Sequence, residues 1–305
     1  VVIPLFNKEK EVLRAVNSVL KQTISNFEVI VVNDGSSDKG PDIVSAIRDP
    51  RIRVIDQANL GVSAARNRGI AEAKAELIAF LDADDEWIHD FLGTIMESKR
   101  EFPGCSIFAT SYFLVNQYGI KRPAVIRGLP KGFKKGILEN YFKIAAKSDP
   151  PLWTSAVAVK KSTISSVGGF PVGIVSGEDL FTWARLASKF DIAYYFEPKA
   201  FFWKSDSFFI RPSRRPNIPD FVGHGLSLLI NEGRSQKTRG LKQYLALWHR
   251  MRAIFFMQLN EQIHSIKEIW LAFKYSPSLK LCLLFLIALL PLNFSRKILS
   301  IVKRR

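Results

Sequence analysis

The sequence is poor in the residues that mark most metal, redox and cofactor sites. Its two cysteines, Cys105 and Cys282, each stand inside an apolar run, and neither has the spacing of a zinc or redox motif. They read as free buried thiols in a reducing compartment. The four histidines, His89, His224, His249 and His264, are scattered without a ligand spacing, so no role is assigned to them. No GxGxxG follows the first apolar run and no GxxxxGK[ST] occurs anywhere, which leaves neither a dinucleotide fingerprint nor a P-loop to hold phosphates. Long apolar spans are missing too. The C-terminal apolar stretch, "LCLLFLIALLPLNFS" at 281–295, is uncharged but broken by Pro291, and as a helix it would reach only ~22 Å against a hydrocarbon core of ~30 Å. Acidic residues are outnumbered, 28 against 44 Lys plus Arg, for a formal charge of +16. An anionic partner is implied. No nucleic-acid motif is present and the cations crowd the C-terminal third beside apolar helices, so an anionic membrane surface is expected, and no nucleic acid.

What is present is the pattern of an α/β protein. At 47% hydrophobic content over 305 residues, a sizeable core is expected. The opening "VVIPLF" reads as a strand rather than a leader, and a helix follows with Val12, Val16, Val19 and Leu20 on one face. "FEVIVV" leads into "NDGSSD", "RIRVID" into "QANLG" and a helix beginning near Ser63, and "ELIAFL" into "DADDEW" with a helix to about Arg100. Four β-α units result, predicting a mostly parallel sheet flanked by helices. In such sheets ligands bind beyond the carboxyl ends of the strands, where this chain places Asn7, Asp34, Asp56, Asp82 and Asp84. Asp82, Asp84 and Asp85 are too close together to ionise freely without a cation nearby. Mg²⁺ or Mn²⁺, which takes one or two carboxylates together with phosphate oxygens, would satisfy them. Past Pro103, "SIFATSYFLV" and "TSAVAVKK" read as strands and 117–135 as a basic loop. "GGFPVGIVSGEDLFTWARLA" runs into a helix headed by Glu178 and Asp179. Carboxylates at a helix N-terminus are also explained by the helix dipole alone.

"VVIPLFNKEKEVLRAVNSVLKQT", "FEVIVVNDGSSD", "NLGVSAARNRGI" and "FLDADDEW", in that order, resemble the nucleotide-binding half of the inverting glycosyltransferases of family 2, with the GT-A fold. "GGFPVGIVSGEDLFTWARL" is similar to that family's acceptor-side segment, and the likeness runs from Val1 to about Phe202. The resemblance implies a nucleotide-sugar donor, most often a UDP-sugar, with Asp34 on the base, Pro4, Phe6 and Glu9 lining the same pocket, and Arg66 beside it. It implies that Asp82 and Asp84 form the DXD pair, Asp82 near ribose or metal and Asp84 the ligand of Mn²⁺ or Mg²⁺. Asp179 matches the catalytic base, and Glu178 would orient the acceptor. The QxxRW of processive members is absent after Asp179, which favours addition of one sugar per encounter to a glycan or polyprenyl-linked acceptor in cell-surface polysaccharide synthesis.

These readings divide the chain into a catalytic domain at 1–205, with a nucleotide-sugar half at 1–102 and an acceptor half at 103–205, a basic linker at 206–240 and a helical, membrane-associating extension at 241–305. In the linker, Arg211, Arg214 and Arg215 are expected near a diphosphate or a phosphorylated acceptor. In the extension, Trp248, Phe255 and Phe256 with Lys242, Arg250 and Arg252 are expected to lie in the interface on the cytoplasmic face of the inner membrane, held peripherally or monotopically. A nucleotidyltransferase would need a glycine-rich basic loop where "PLFNKEKE" stands. A catalytically inactive sugar- or nucleotide-binding relative is opposed by the intact Asp34, Asp82, Asp84 and Asp179.

Overall fold

A computed structural model describes residues 1–203, 215–232 and 235–290. Arg211 and Arg214 lie outside the described residues, as does the part of the C-terminal apolar stretch beyond Leu290.

The chain begins with three parallel strands, β1 (Val2–Leu5), β2 (Val29–Asp34) and β3 (Ile52–Gln57), in the order β1-β2-β3. Every residue of β1 and β2 is buried, as continuous apolar runs covered on both faces require. Helices α1 (Val12–Leu20), α2 (Gly40–Ser45) and α3 (Val62–Glu72) make the connections. Helix α3 approaches β1 so closely that a Cβ on Gly69 would lie 2.3 Å from Val2 Cγ1, and only glycine fits there.

Strand β4 (Leu77–Ala79) continues alongside β1 through a parallel bridge between Val2 and Phe80. β5 (Glu86–Trp87) and α4 (Phe91–Glu101) follow. The second half is mixed rather than parallel. β6 (Ile107–Val115) is parallel to β10 (Ile192–Trp203), whereas β9 (Val157–Lys160) runs antiparallel to both β4 and β6. Two short strands, β7 (Lys121–Pro123) and β8 (Lys135–Ile137), edge the basic loop. The twelve-residue β10 escapes the sequence reading because its pairing with β6 shifts register on either side of Pro198, which disrupts the alternation that identifies strands.

Helices α5 (Tyr141–Ala145), α6 (Lys161–Ser166) and α7 (Glu178–Ala187) complete this half, and α8 (Phe221–Glu232), α9 (Leu241–Gln258), α10 (Gln262–Tyr275) and α11 (Leu279–Leu289) form a helical layer beside it. The boundary at 241 does not mark a detached unit. Leu241, Tyr244, Leu245 and Trp248 of α9 belong to the same core as the sheet, while Ala253 and Met257 join a second cluster with α10 and α11. Trp248 and Phe256 are therefore buried, and Arg252 with them, which corrects the expectation that they face lipid. Cys105 is buried as expected but Cys282 is exposed on α11.

Candidate active site

The strands deliver their polar residues at one edge. Asp34 ends β2 only 2% exposed. Its Oδ1 accepts from Gln57 Nε2 and the Leu60 N–H, and its Oδ2 from the Gly61 N–H, at 2.8–2.9 Å. The carboxylate thus shapes the turn that enters α3, and an oxygen pair with about four lone-pair sites retains room for one further donor. Pro4 is buried within β1, Phe6 is exposed just beyond it, and Glu9 in the β1–α1 turn accepts the N–H of Lys39, which precedes α2, at 3.1 Å.

The three crowded aspartates are relieved in three different ways. Asp82 Oδ1 accepts from Arg66 Nη2 at 2.7 Å. Asp84 Oδ2 pairs with the Lys8 ammonium at 2.7 Å, both groups remaining half-exposed. Asp85 is buried, with Oδ2 receiving the Ser155 hydroxyl at 2.6 Å and the Trp153 indole N–H at 3.2 Å, and Oδ1 the Trp203 N–H at 3.1 Å. Burial, reinforced by the charges of Asp84 and Asp82, pushes the Asp85 carboxyl far above the ordinary range. Ser155 also accepts the Asp82 N–H at 3.1 Å, so Asp85 braces the backbone that presents Asp82. Lys8, Trp153 and Ser155 had no signal in the sequence, since each acts through a fold contact remote in the chain.

Arg66, expected beside the base, is engaged by two carboxylates. It is buried on α3, and besides Asp82 it reaches Glu178 Oε1 at 3.5 Å, with its guanidinium 5.1 Å over the Phe170 ring. Although burial opposes its charge, the carboxylates of Asp82 and Glu178 hold it firmly protonated. One cation thereby joins the strand-end acids to the acidic start of α7.

Asp179 follows Glu178, and its Oδ1 accepts the Leu180 N–H at 2.7 Å. Burial first, then the neighbouring Glu178 charge, push the Asp179 carboxyl up to about 7, against the opposing pull of Arg66. A carboxyl poised there can take a proton at neutral pH. It opens into a cavity of about 370 Å³ walled by Tyr112, Trp153 and Phe202 on the sheet side and by Tyr141, Leu226, Tyr244, Trp248, Met251 and Phe255 from the helices. Trp153 packs 4.1 Å from Phe202 and 5.6 Å from Tyr112, centroid to centroid. The cavity is apolar apart from a few groups such as Asp179, Asp149 and Ser148. Arg215, expected near phosphates, instead pairs with Glu261 at 2.9 Å.

The sequence model for Glycosyl transferase family 2 matches residues 1–155. Uncharacterized glycosyltransferases of Rickettsia felis and Rickettsia conorii are 35% and 34% identical over 191 residues, or 62% of this chain. The chain spans only 30% of the length of each. Among solved structures, S. aureus TarS 1–349 in complex with UDP-GlcNAc superposes with a TM-score of 0.67 at 21% identity, covering 97% of this chain and 86% of that one. The mannosyltransferase PcManGT from Pyrobaculum calidifontis, in complex with GDP-Man and Mn²⁺, gives 0.57 at 17% identity over 99% and 85%. The fold is GT-A-like.

Proposed function

Because the chain belongs to glycosyl transferase family 2, we propose that it transfers one sugar from a UDP-sugar to a hydroxyl of a polyprenyl-linked or glycan acceptor, with inversion at C1. The observation that carries this reading is the Arg66 bridge. By holding Asp82 and Glu178 at once, it joins the donor edge to the start of α7, where the proton acceptor Asp179 follows Glu178.

On the donor side, Asp34 takes the base N–H with its remaining acceptor capacity, beside Pro4, Phe6 and Glu9. A divalent cation suits the hard oxygen donors of Asp84 and Asp82. The half-exposed Asp84 carboxylate already carries a cation in the form of Lys8, so the residues present fit Mn²⁺ or Mg²⁺. Such an ion, when bound, supplies Lewis-acid stabilisation of the charge that develops on the departing diphosphate. Arg66 keeps Asp82 oriented, and Asp85 fixes the backbone between them.

On the acceptor side, Asp179 takes the proton of the attacking hydroxyl, on the face of the sugar opposite the leaving diphosphate, and no covalent intermediate is needed. The aromatic cavity favours an acceptor that presents apolar surface close to its reactive hydroxyl, as a lipid-linked sugar does. Confinement to the cytoplasmic face of a membrane fits that acceptor. No helix among the described residues is long and apolar enough to cross a membrane. Yet α11 exposes Leu279, Leu283, Leu286 and Leu289, and α10 exposes Ile263 and Trp270, an apolar area suited to lying in the interface. The test is a panel of UDP- and GDP-sugars with Mn²⁺, Mg²⁺ or EDTA and a polyprenyl-linked acceptor, scored by release of nucleoside diphosphate. Release from UDP-sugars that EDTA suppresses is expected. Turnover confined to GDP-sugars, or indifferent to EDTA, overturns the donor or the metal assignment respectively.

A further inference from the structure

Behind the acceptor cavity lies a buried ionic cluster that the proposed reaction does not use. Asp220 precedes α8, His249 and Arg252 lie on α9, and Glu268 lies on α10. Ligand atoms of Asp220, His249 and Glu268 all fall within 4.8 Å of one another, a spacing compatible with a metal ion. Arg252 already supplies the positive charge. Its Nε is 2.8 Å from Glu268 Oε1 and 3.3 Å from Asp220 Oδ2, and its Nη1 donates to the Asn217 carbonyl at 3.1 Å. His249 Nδ1 lies 2.7 Å from Glu268 Oε2. Burial raises the Glu268 carboxyl, but hydrogen bonds and charge from His249 and Arg252 outweigh it and bring the group below its ordinary range.

Burying His249, Arg252 and Glu268 beside a partly buried Asp220 is expensive and adds little stability compared with apolar packing, so the arrangement calls for another reason. Asp220 supplies one. Its two oxygens receive the Trp248 indole N–H at 3.1 and 3.0 Å, and Oδ1 also receives the Gly223 N–H at 3.0 Å. The far edge of that indole presses on Gly177, where a Cβ would come within 2.4 Å of Trp248 Cη2 and Cζ3. Gly177 has φ +82° and immediately precedes α7, in a conformation that side-chain-bearing residues rarely adopt. Asp179 is the second residue of that helix, and Trp248 and Asp179 line the same cavity. The Tyr244 hydroxyl, one turn earlier on α9, donates to the Leu180 carbonyl at 3.4 Å.

We propose that the Asp220, Arg252, Glu268 and His249 cluster is a positioning device: it locks the Trp248 indole against Gly177 and so sets where the Asp179 carboxyl sits at the cavity floor. The inference rests on Asp179 being the proton acceptor for its purpose, but not for its geometry. Asp220 and Trp248 are thus positioning residues acting through Gly177. The charged and titratable groups that face Asp179 come from several elements: Glu178 on α7, Arg66 on α3, Asp82 after β4, Tyr141 on α5 and Tyr244 on α9. None belongs to the cluster. A change in the cluster therefore reaches Asp179 chiefly through the indole.

The test needs no substrate. In the full chain labelled with ¹³Cγ-aspartate, the Asp179 resonance is assigned by its loss in Asp179→Asn and its titration is followed. Trp248→Phe removes the indole N–H without changing charge, and Gly177→Ala pushes on the ring from the other side. Both should lower the Asp179 midpoint by about half a unit or more, because a displaced ring admits water to a carboxyl raised by burial. Asp220→Asn should act in the same direction in the wild-type background and add nothing in the Trp248→Phe background, as expected of two residues in one chain of contacts. Melting temperatures verify folding, and if Trp248→Phe does not fold, Gly177→Ala carries the test. An unchanged midpoint in both single variants overturns the proposal. So does an Asp220→Asn effect that persists in full without the indole, since that would be direct charge alone. If instead the titration behaves as expected but Asp179→Asn retains full transfer, the positioning stands and the assignment of the base fails.

Discussion

The strand-end carboxylates proposed as the donor edge and the aromatic cavity proposed for the acceptor are built on opposite principles. At the donor edge, charge is abundant and each group has a counter-charge or donor: Lys8 on Asp84, Arg66 on Asp82, and backbone N–H groups on Asp34. At the acceptor cavity, aromatic and aliphatic side chains from β6, β10, α5, α8 and α9 surround Asp179, and its charge is disfavoured rather than neutralised. A polyanionic donor needs preorganised charged partners, while a carboxylate base needs an apolar environment that raises its affinity for a proton. The contrast teaches that the two halves should fail separately when altered.

Asp179→Asn makes the sharpest separation. We expect transfer to fall by ~10² or more while UDP binding stays within about twofold, since a general base acts on the acceptor alone. Parallel loss of UDP binding, measured by calorimetry, would erase the distinction between the halves.

Next in size is the pH dependence of turnover. As the proposed base, Asp179 has to be ionised, and its carboxyl is pushed up to about 7. Turnover should therefore plateau above that value and fall by about tenfold per pH unit below it. Glu178→Gln removes a like charge and should move this acid limb to lower pH, a shift visible in a kcat profile. A limb that stayed in place would mean that burial alone sets the Asp179 carboxyl.

Asp84→Asn tests the donor edge. It should weaken UDP binding in the presence of Mn²⁺ by about tenfold, because a neutral amide is a poor ligand for a hard cation, and leave binding in EDTA unaltered. An equal loss with and without metal would assign Asp84 to direct contact with the nucleotide instead.

The smallest expected effect belongs to the helical layer. Replacing both Leu283 and Leu286, exposed on α11, with Ser should reduce flotation with anionic liposomes several-fold without moving the melting temperature, each lost leucine contact being worth up to ~2 kcal/mol. Unchanged flotation would leave those leucines to another occupant, such as a second copy of the chain.

The residues of the first four β-α units carry their own assignment. Buried runs such as "VIVV" in β2 read as central strands, and the polar residues that end them gather at one edge, so the placement of Asp34, Asp82 and Asp84 was legible, whereas Glu178 and Asp179 stood out from a plain helix start only through the family resemblance. What could not be read is which partner each charge takes. Lys8, Arg66 and Ser155 reach the aspartates across the fold, and spacing along the chain carries no record of such contacts. The same limit applies to α9, whose amphipathic pattern fits a membrane surface or a protein core equally well, because periodicity encodes that one face is apolar and not what covers it. The tertiary structure covers that face with the sheet domain and with α10, burying Trp248 and Phe256. The physical reason is additive burial: local pattern dictates strand and helix, but the choice of neighbour is made by area and charge contributed from every element at once.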